Sequence, residues 1–157
     1  EVAGRKRSDQ MRVLEVDGGL TEREMGAEVD ENGRANRGQG VKASDVAAMQ
    51  LPNVEEASSN DLATKGEGVI VNPVVAILRD SEDAFLLQDS HSKMLFIPAE
   101  FRGFDYHAMI DRLRAELPEL ATVVVLRGGA GNDVAWADLM AADGRAIHLD
   151  PAGPVSV

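Results

Sequence analysis

Apolar and polar positions in the second half of the chain follow one another in the order expected of alternating strands and helices. The β-branched run at residues 69–71 predicts a buried strand, and Pro73 then prevents simple continuation of its ladder. A second apolar run at residues 94–97 predicts a strand that ends at Pro98. The run at residues 122–126 has the composition of a strand covered on both faces.

Helical patterns separate these strands. The strongest one begins at Asp105, a residue type that caps helices, and ends at Pro118. Its apolar residues recur at helical spacing and predict one continuous core-facing stripe: Tyr106, Met109, Ile110, Leu113 and Leu117. A shorter helix, capped by Asp80 or Ser81, would hold the apolar residues at 84–87. A last helix over residues 134–142 would let Trp136 and Leu139 or Met140 cover an edge of the sheet.

The first third of the chain is less regular. A short strand is predicted at residues 13–16, followed by a turn at 17–19 and by a helix whose capping box is Thr21 and Glu24. Leu20 and Met25 have the spacing of a hydrophobic staple at the same boundary. After another strand at residues 45–51, a second helix is predicted at 53–62, but both helices carry few apolar residues.

Strand and helix therefore alternate from residue 45 to residue 126. This order predicts an α/β fold, with a mainly parallel sheet, right-handed crossovers and helices on its faces. The change in pattern near Lys65 divides the chain into a loosely patterned part, residues 1–65, and a well-patterned part of the same domain, residues 66–157. We expect the first part to be loose or partly disordered when the chain is isolated.

Composition and charge narrow the classes of partner. The 157 residues carry a formal net charge of -11, which disfavours a nucleic-acid or anionic membrane surface, because such surfaces need clustered Lys and Arg. The chain contains no cysteine, so disulfides and thiolate chemistry are excluded and a reducing cytoplasm is the expected location. The longest apolar run is far shorter than the roughly 20 residues that a membrane-spanning helix needs.

The glycine-rich loop and the histidines could each take part in binding or catalysis, but we favour a purely structural role for them. The glycine-rich loop at residues 128–131 follows a strand, but it lacks the spacing and the lysine of a phosphate-binding loop. His91, His107 and His148 are far apart and have no partner at metal-ligand spacing, so exposed or locally bonded histidines are expected. The sequence therefore assigns no catalytic, cofactor-binding or metal-binding residue.

Two further segments have both a structural and a functional interpretation, and the structural one is favoured for each. The carboxylates Asp80, Glu82, Asp83 and Asp89 cluster around the short helix, where a solvated charged run is the expected arrangement. The segment at residues 101–106 combines aromatic side chains, a glycine and a helix cap. It either plugs the following helix against the sheet, which is the commoner arrangement, or lines a cleft at the end of a strand.

Taken in order, these motifs resemble a known family. The strand that ends in Asn72 and Pro73, the short helix, the strand at 94–98, the turn at 101–106 and the amphipathic helix are similar to AMP-forming acyl-CoA synthetases of the adenylate-forming superfamily. Upstream, residues 20–24 (LTERE) and 45–53 (DVAAMQLPN) resemble that family's L-T-Y-R-E-L and G-D-x-V-A-x-x-L-P-N motifs.

The resemblance implies a function for an intact relative. Such enzymes use ATP and Mg²⁺ to convert a carboxylic acid to an acyl-adenylate, and then form a thioester with CoA. Their phosphate loop, of the T-S-G-T-T-G-x-x-K-G type, is absent here, and residues 149–157 resemble the lead-in to it. The expectation is thus an N-terminal portion of the large domain of a ligase of fatty acid metabolism, inactive alone and partnered by the remainder of its chain.

The sequence also allows a function that is not enzymatic. The same α/β order also suits a non-catalytic, flavodoxin-like protein-interaction module that docks a partner through its acidic surface. Nucleotide binding separates the two hypotheses.

Overall fold

The computed structural model describes residues 38–52 and 68–141, together with the backbone of two earlier strands. These strands, β1 (Met11–Glu15) and β2 (Gly18–Thr21), form an antiparallel hairpin in which Glu15 lies opposite Gly18. The strand expected at residues 13–16 is thus present, whereas β2 was not predicted. The helices expected after Thr21 and at residues 53–62 lie outside the described residues, so the division at residue 65 stays a prediction.

The remaining strands and helices follow the predicted order, except that two short strands, Glu100–Phe101 and Phe104–Asp105, stand where the sequence predicts a turn. The strands are β3 (Val46–Met49), β4 (Ile70–Pro73), β5 (Ser92–Pro98), β6 (Glu100–Phe101), β7 (Phe104–Asp105), β8 (Thr122–Leu126) and β9 (Val134–Ala135). The helices are α1 (Asp80–Asp89), α2 (Tyr106–Leu113) and α3 (Trp136–Ala141), with a 3₁₀ turn at Arg114–Glu116 after α2.

A parallel sheet of five strands organises this part of the chain, and it confirms the predicted fold class. Its order is β4-β3-β5-β8-β9, and every neighbouring pair is parallel. Strand β8 lies between β5 and β9, and all five of its residues are buried. The β-branched run therefore does form a strand covered on both faces.

The two faces of the sheet carry separate cores. Helices α1 and α2 pack on one face, against alternate residues such as Ala48, Leu95 and Val123. Helix α3 packs on the other face, where Leu139 meets the core that contains Phe96 and Val124. All five residues of the predicted stripe in and after α2 are buried. The Asp105 carboxylate caps this helix by accepting a hydrogen bond from the backbone N–H of Ala108 at 2.8 Å.

Three details differ from the sequence prediction. Strand β4 lies at the edge of the sheet, and 54% of Ile70 is exposed, so the run at 69–71 is not a fully buried strand. The N-cap of α1 is Arg79, which makes no side-chain capping bond; acidic residues in the first turn complement the helix dipole instead. Residues 134–135 form β9 rather than the start of α3, because two residues are too few to show a strand pattern.

Within residues 38–52 and 68–141, none of the helices combines the length and the apolar character that crossing a bilayer requires.

Candidate functional site at the carboxyl ends of the strands

The carboxyl ends of β3, β5 and β8 meet at one edge of the sheet and border a cleft of about 190 Å³. Open parallel sheets usually bind ligands at this edge. The lining is mostly apolar, with one acidic and one basic side chain: Leu51, Pro52, Pro98, Glu100, Phe101, Leu126 and Arg127. The cleft is therefore the candidate site of this chain.

The aromatic segment at residues 101–106 forms the β6–β7 hairpin beside this cleft. Arg102 and Gly103 at its tip both have positive φ angles, 52° and 75°, as expected of a tight hairpin turn. Phe101 lines the cleft. Phe104 packs edge-on against Tyr106, with ring centroids 5.0 Å apart. The segment therefore does both things that the sequence suggested: it borders the cleft and fixes the start of α2.

Arg79 holds the neighbouring loop, residues 74–79. Its guanidinium lies 3.9 Å from the centre of the Phe104 ring, a cation–π distance. The same group donates hydrogen bonds to the carbonyls of Ala76 and Leu78 at 3.0 and 2.6 Å. Tyr106, which is buried, also donates its hydroxyl to the Ala76 carbonyl. The side chains of Arg79 and Tyr106 thus bind backbone carbonyls of this loop.

Gln50 and Asp83 form a buried polar pair between the end of β3 and α1. The side-chain alternation of β3 puts Gln50 on the same face as Ala48, which is the face that α1 covers. Its amide donates to the Asp83 carboxylate at 3.1 Å and, at 3.3 and 3.4 Å, to the carbonyls of Val75 and Leu78. The two side chains therefore join a strand, a loop and a helix.

Asp83 departs from the solvated arrangement expected for the acidic run. It is 1% exposed, and its Oδ2 atom has no hydrogen-bond partner among the described residues. Burial raises the pKa of this carboxyl to about 6, against the smaller opposing effects of the Gln50 hydrogen bond and the Arg79 charge. The expectation of a solvated run is wrong at this position, because α1 turns Asp83 toward the sheet.

A second polar cluster ties α2 to the loop before β9. Asp133, 5% exposed at its side chain, accepts a hydrogen bond from His107 Nε2 at 2.8 Å and another from the Arg114 guanidinium. Arg114 also pairs with Asp111 at 2.9 Å. His107 is therefore locally bonded, as expected from the sequence.

The same cluster offers a possible set of metal ligands, which the sequence spacing did not reveal. One ligand atom from each of His107, Asp111 and Asp133 lies within 4.8 Å of the others. However, Arg114 already binds both carboxylates and supplies the positive charge that a metal ion would bring. A divalent cation would have to displace Arg114, so the donor set fits a structural ion cluster better than a metal centre.

The glycine-rich loop at residues 128–131 meets packing requirements. A Cβ atom at Gly128 would lie 2.3 Å from the Cβ of Ala99, and one at Gly131 would lie 2.8 Å from Cε1 of His107. Gly131 also has a positive φ of 55°. These contacts explain Gly128 and Gly131 without a phosphate ligand.

His91 lies outside both polar clusters and lines a surface groove of about 390 Å³. His91 makes an exposed pair with Glu119 at 2.7 Å, and this hydrogen bond raises the pKa of His91 and lowers that of Glu119. His148 lies outside the described residues.

Comparison with known proteins identifies the family. The chain is 30% identical, over 98% of its length, to the salicyl-AMP ligase / salicyl-S-ArCP synthetase of Mycobacterium tuberculosis. It is 28% identical, over 55% of its length, to the 2,3-dihydroxybenzoate-AMP ligase of Bacillus subtilis. The crystal structure of the anthranilate CoA ligase AuaEII in complex with anthranoyl-AMP superposes on 92% of the chain with a TM-score of 0.81 at 19% identity. No family model matches the sequence.

The chain belongs to the adenylate-forming superfamily of AMP-forming ligases and matches the N-terminal portion of their large domain. It spans 28% of the length of the M. tuberculosis ligase, 16% of the B. subtilis ligase and 27% of AuaEII. The resemblance noted from the sequence motifs is thereby confirmed.

Proposed function

We propose that this chain is the scaffold portion of a ligase that activates an aryl carboxylic acid with ATP. In the complete reaction, a carboxylate oxygen attacks the α-phosphate, pyrophosphate leaves, and a thiol then displaces AMP from the acyl-adenylate. The 30% identity over nearly the entire chain to the salicyl-AMP ligase carries this proposal.

The aryl assignment refines the expectation from sequence. The names of the three proteins compared above specify salicyl, 2,3-dihydroxybenzoate and anthranilate groups. A role in fatty acid metabolism finds no support in these three, and neither does the flavodoxin-like interaction module. The names of these proteins give two acceptors, CoA for AuaEII and ArCP for the M. tuberculosis ligase.

In this proposal the chain builds a wall of the active site and leaves the chemistry to other segments. Its cleft at the carboxyl ends of β3, β5 and β8 borders the substrate region, and the Gln50–Asp83 pair fixes the adjoining loop. ATP, Mg²⁺ and the acyl acceptor are bound by the remainder of the ligase. A cytoplasmic location and the absence of nucleic-acid binding remain predictions.

A chimera tests the proposal. The segment of the M. tuberculosis ligase that aligns with this chain is replaced by the chain itself, and ATP–pyrophosphate exchange is measured with salicylate, with benzoate and with octanoate. We expect exchange that depends on an aryl acid and is weak with octanoate. A chimera that melts cooperatively but shows no aryl-dependent exchange would count against the proposed function.

A further inference from the structure

Three large apolar side chains are exposed near the start of α1. Val75 is 61% exposed, Ile77 is 73% exposed and Phe85 is 65% exposed. Phe85 also lines an open groove of about 350 Å³, together with Leu78, Ser81, Glu82 and Leu86. We call Val75, Ile77, Leu78, Phe85 and Leu86 together the Phe85 surface. Isolated exposed apolar residues are common, but a cluster of them beside a groove is typical of an interaction site.

The loop that carries Val75 and Ile77 is held firmly in place. Carbonyl groups at Val75, Ala76 and Leu78 accept hydrogen bonds from side chains of Gln50, Tyr106 and Arg79. Gln50 and Tyr106 are buried, so these bonds are protected from water. The loop therefore presents its apolar side chains in a fixed arrangement, which reduces the entropy cost of binding a partner.

We propose that the Phe85 surface is an interface for an apolar segment of the same ligase polypeptide, outside the portion that these residues represent. This inference rests on the proposed function. The match covers 28% of the M. tuberculosis relative, so most of that ligase has no counterpart here and is available to cover the surface. Exposed aromatic and aliphatic side chains beside a groove suit a packed, intramolecular contact.

Charge argues against a second copy of the chain as the occupant. The net charge is -11, and Glu82 lines the groove, whereas Asp80 is paired with Arg112 at 2.9 Å. Two copies joined through this groove would bring their Glu82 carboxylates together in a dimer of high negative charge, and the copies would repel each other. The segment that fits has an apolar centre with Lys or Arg at its rim.

Hydroxyl-radical footprinting, read by mass spectrometry, tests the inference. Oxidation of Phe85 and Ile77 is compared between the 157-residue chain and the chimera described above, with the exposed side chain of His91 as the internal reference. We expect oxidation of Phe85 to fall severalfold in the chimera, because a side chain that is 65% exposed becomes buried there. Oxidation of His91 should not change.

Matched substitutions give a second readout. Phe85→Ser should lower the thermal midpoint of the chimera and leave that of the isolated chain unchanged. Ile70→Ser is the control, because Ile70 is also more than half exposed but lies on edge strand β4. An equal effect of both substitutions on the chimera would overturn the proposal.

The outcomes separate this inference from the proposed function. If the chimera shows aryl-dependent exchange but Phe85 is oxidised as fully as in the isolated chain, the interface proposal is overturned and the proposed function stands. Protection of Phe85 without exchange supports the interface and counts against the aryl ligase. Protection that rises with the concentration of the isolated chain identifies a second copy as the occupant and overturns the proposal. Should the chimera not fold, the labelling is repeated on the chain mixed with the remaining portion of the M. tuberculosis ligase; lack of protection there also overturns it.

Discussion

The side-chain amide of Gln50 donates to the carboxylate of Asp83 across 3.1 Å, in the buried layer between the end of β3 and helix α1. The partners are 33 positions apart in the chain, and each is 1% exposed. Because Gln50 also bonds the loop that follows β4, this pair fixes the geometry of the carboxyl edge of the sheet. A buried carboxylate with one unpartnered oxygen in the described structure makes that geometry sensitive to pH.

The pH dependence of stability follows from the Asp83 carboxyl. Its pKa is raised from 3.8 to about 6 in the folded chain, so the folded state holds this proton more tightly than the unfolded state does. Stability from this group is therefore complete below about pH 4 and is lost as pH rises to about 6, by about 3 kcal/mol. Urea unfolding of the wild type and Asp83→Asn between pH 4 and pH 7 measures it. The wild type should lose stability relative to the variant as pH rises, and a constant difference would refute the assignment.

Removing the amide of Gln50 should destabilise the chain. Gln50→Ala removes the side-chain donor of Asp83 and of the Val75 carbonyl, whereas the Leu78 carbonyl keeps Arg79, and we expect a cost of about 2–3 kcal/mol at pH 7. Gln88→Ala is the matched control, since Gln88 donates to the Glu116 carbonyl at 2.9 Å on the exposed surface, and should cost less than about 1 kcal/mol. Chemical denaturation gives both values. Equal losses would show that the buried pair has no special role.

Glycine at position 131 should resist substitution. Gly131→Ala adds a Cβ 2.8 Å from His107 and places a side chain at positive φ, so we expect a loss of about 1–3 kcal/mol. At Gly129 an added Cβ meets nothing within 4 Å, and Gly129→Ala should change stability by less than about 1 kcal/mol. Thermal melts of the two variants make the comparison. A tolerated Gly131→Ala would contradict the packing explanation of this loop.

The cap of α2 should contribute measurably. Asp105→Ala removes the acceptor for the Ala108 N–H and should cost about 1 kcal/mol, whereas Asp105→Asn keeps an acceptor and should cost less. The free energy of unfolding in urea distinguishes them. If the two variants are equally unstable, the charge of Asp105 matters more than its hydrogen bond.

Local patterns predicted the fold well because they are set by neighbouring residues. Helical spacing predicted that the stripe from Tyr106 to Leu117 is buried, and composition predicted the same for β8. Both are buried. The edge position of β4 was missed, since strand order depends on contacts far along the chain.

The polar clusters could not be predicted for the same reason. Gln50 bonds Asp83 across 33 positions, and Asp133 bonds His107 across 26. The one sequence signal of this buried pair was Gln50 itself, a single polar residue at the end of an apolar strand. Nothing in the acidic run distinguished Asp83 from its exposed neighbours, because only the docking of α1 on the sheet selects which carboxylate is buried.

Calorimetric titration of the 157-residue chain with MgATP tests the central claim most directly, namely that these residues form a scaffold and that nucleotide chemistry belongs to other segments of the ligase. We expect no saturable heat with MgATP, with or without salicylate, in a sample whose cooperative melt shows that it is folded. Saturable binding with a Kd of about 100 μM or tighter, which corresponds to at least about 5 kcal/mol, would contradict it.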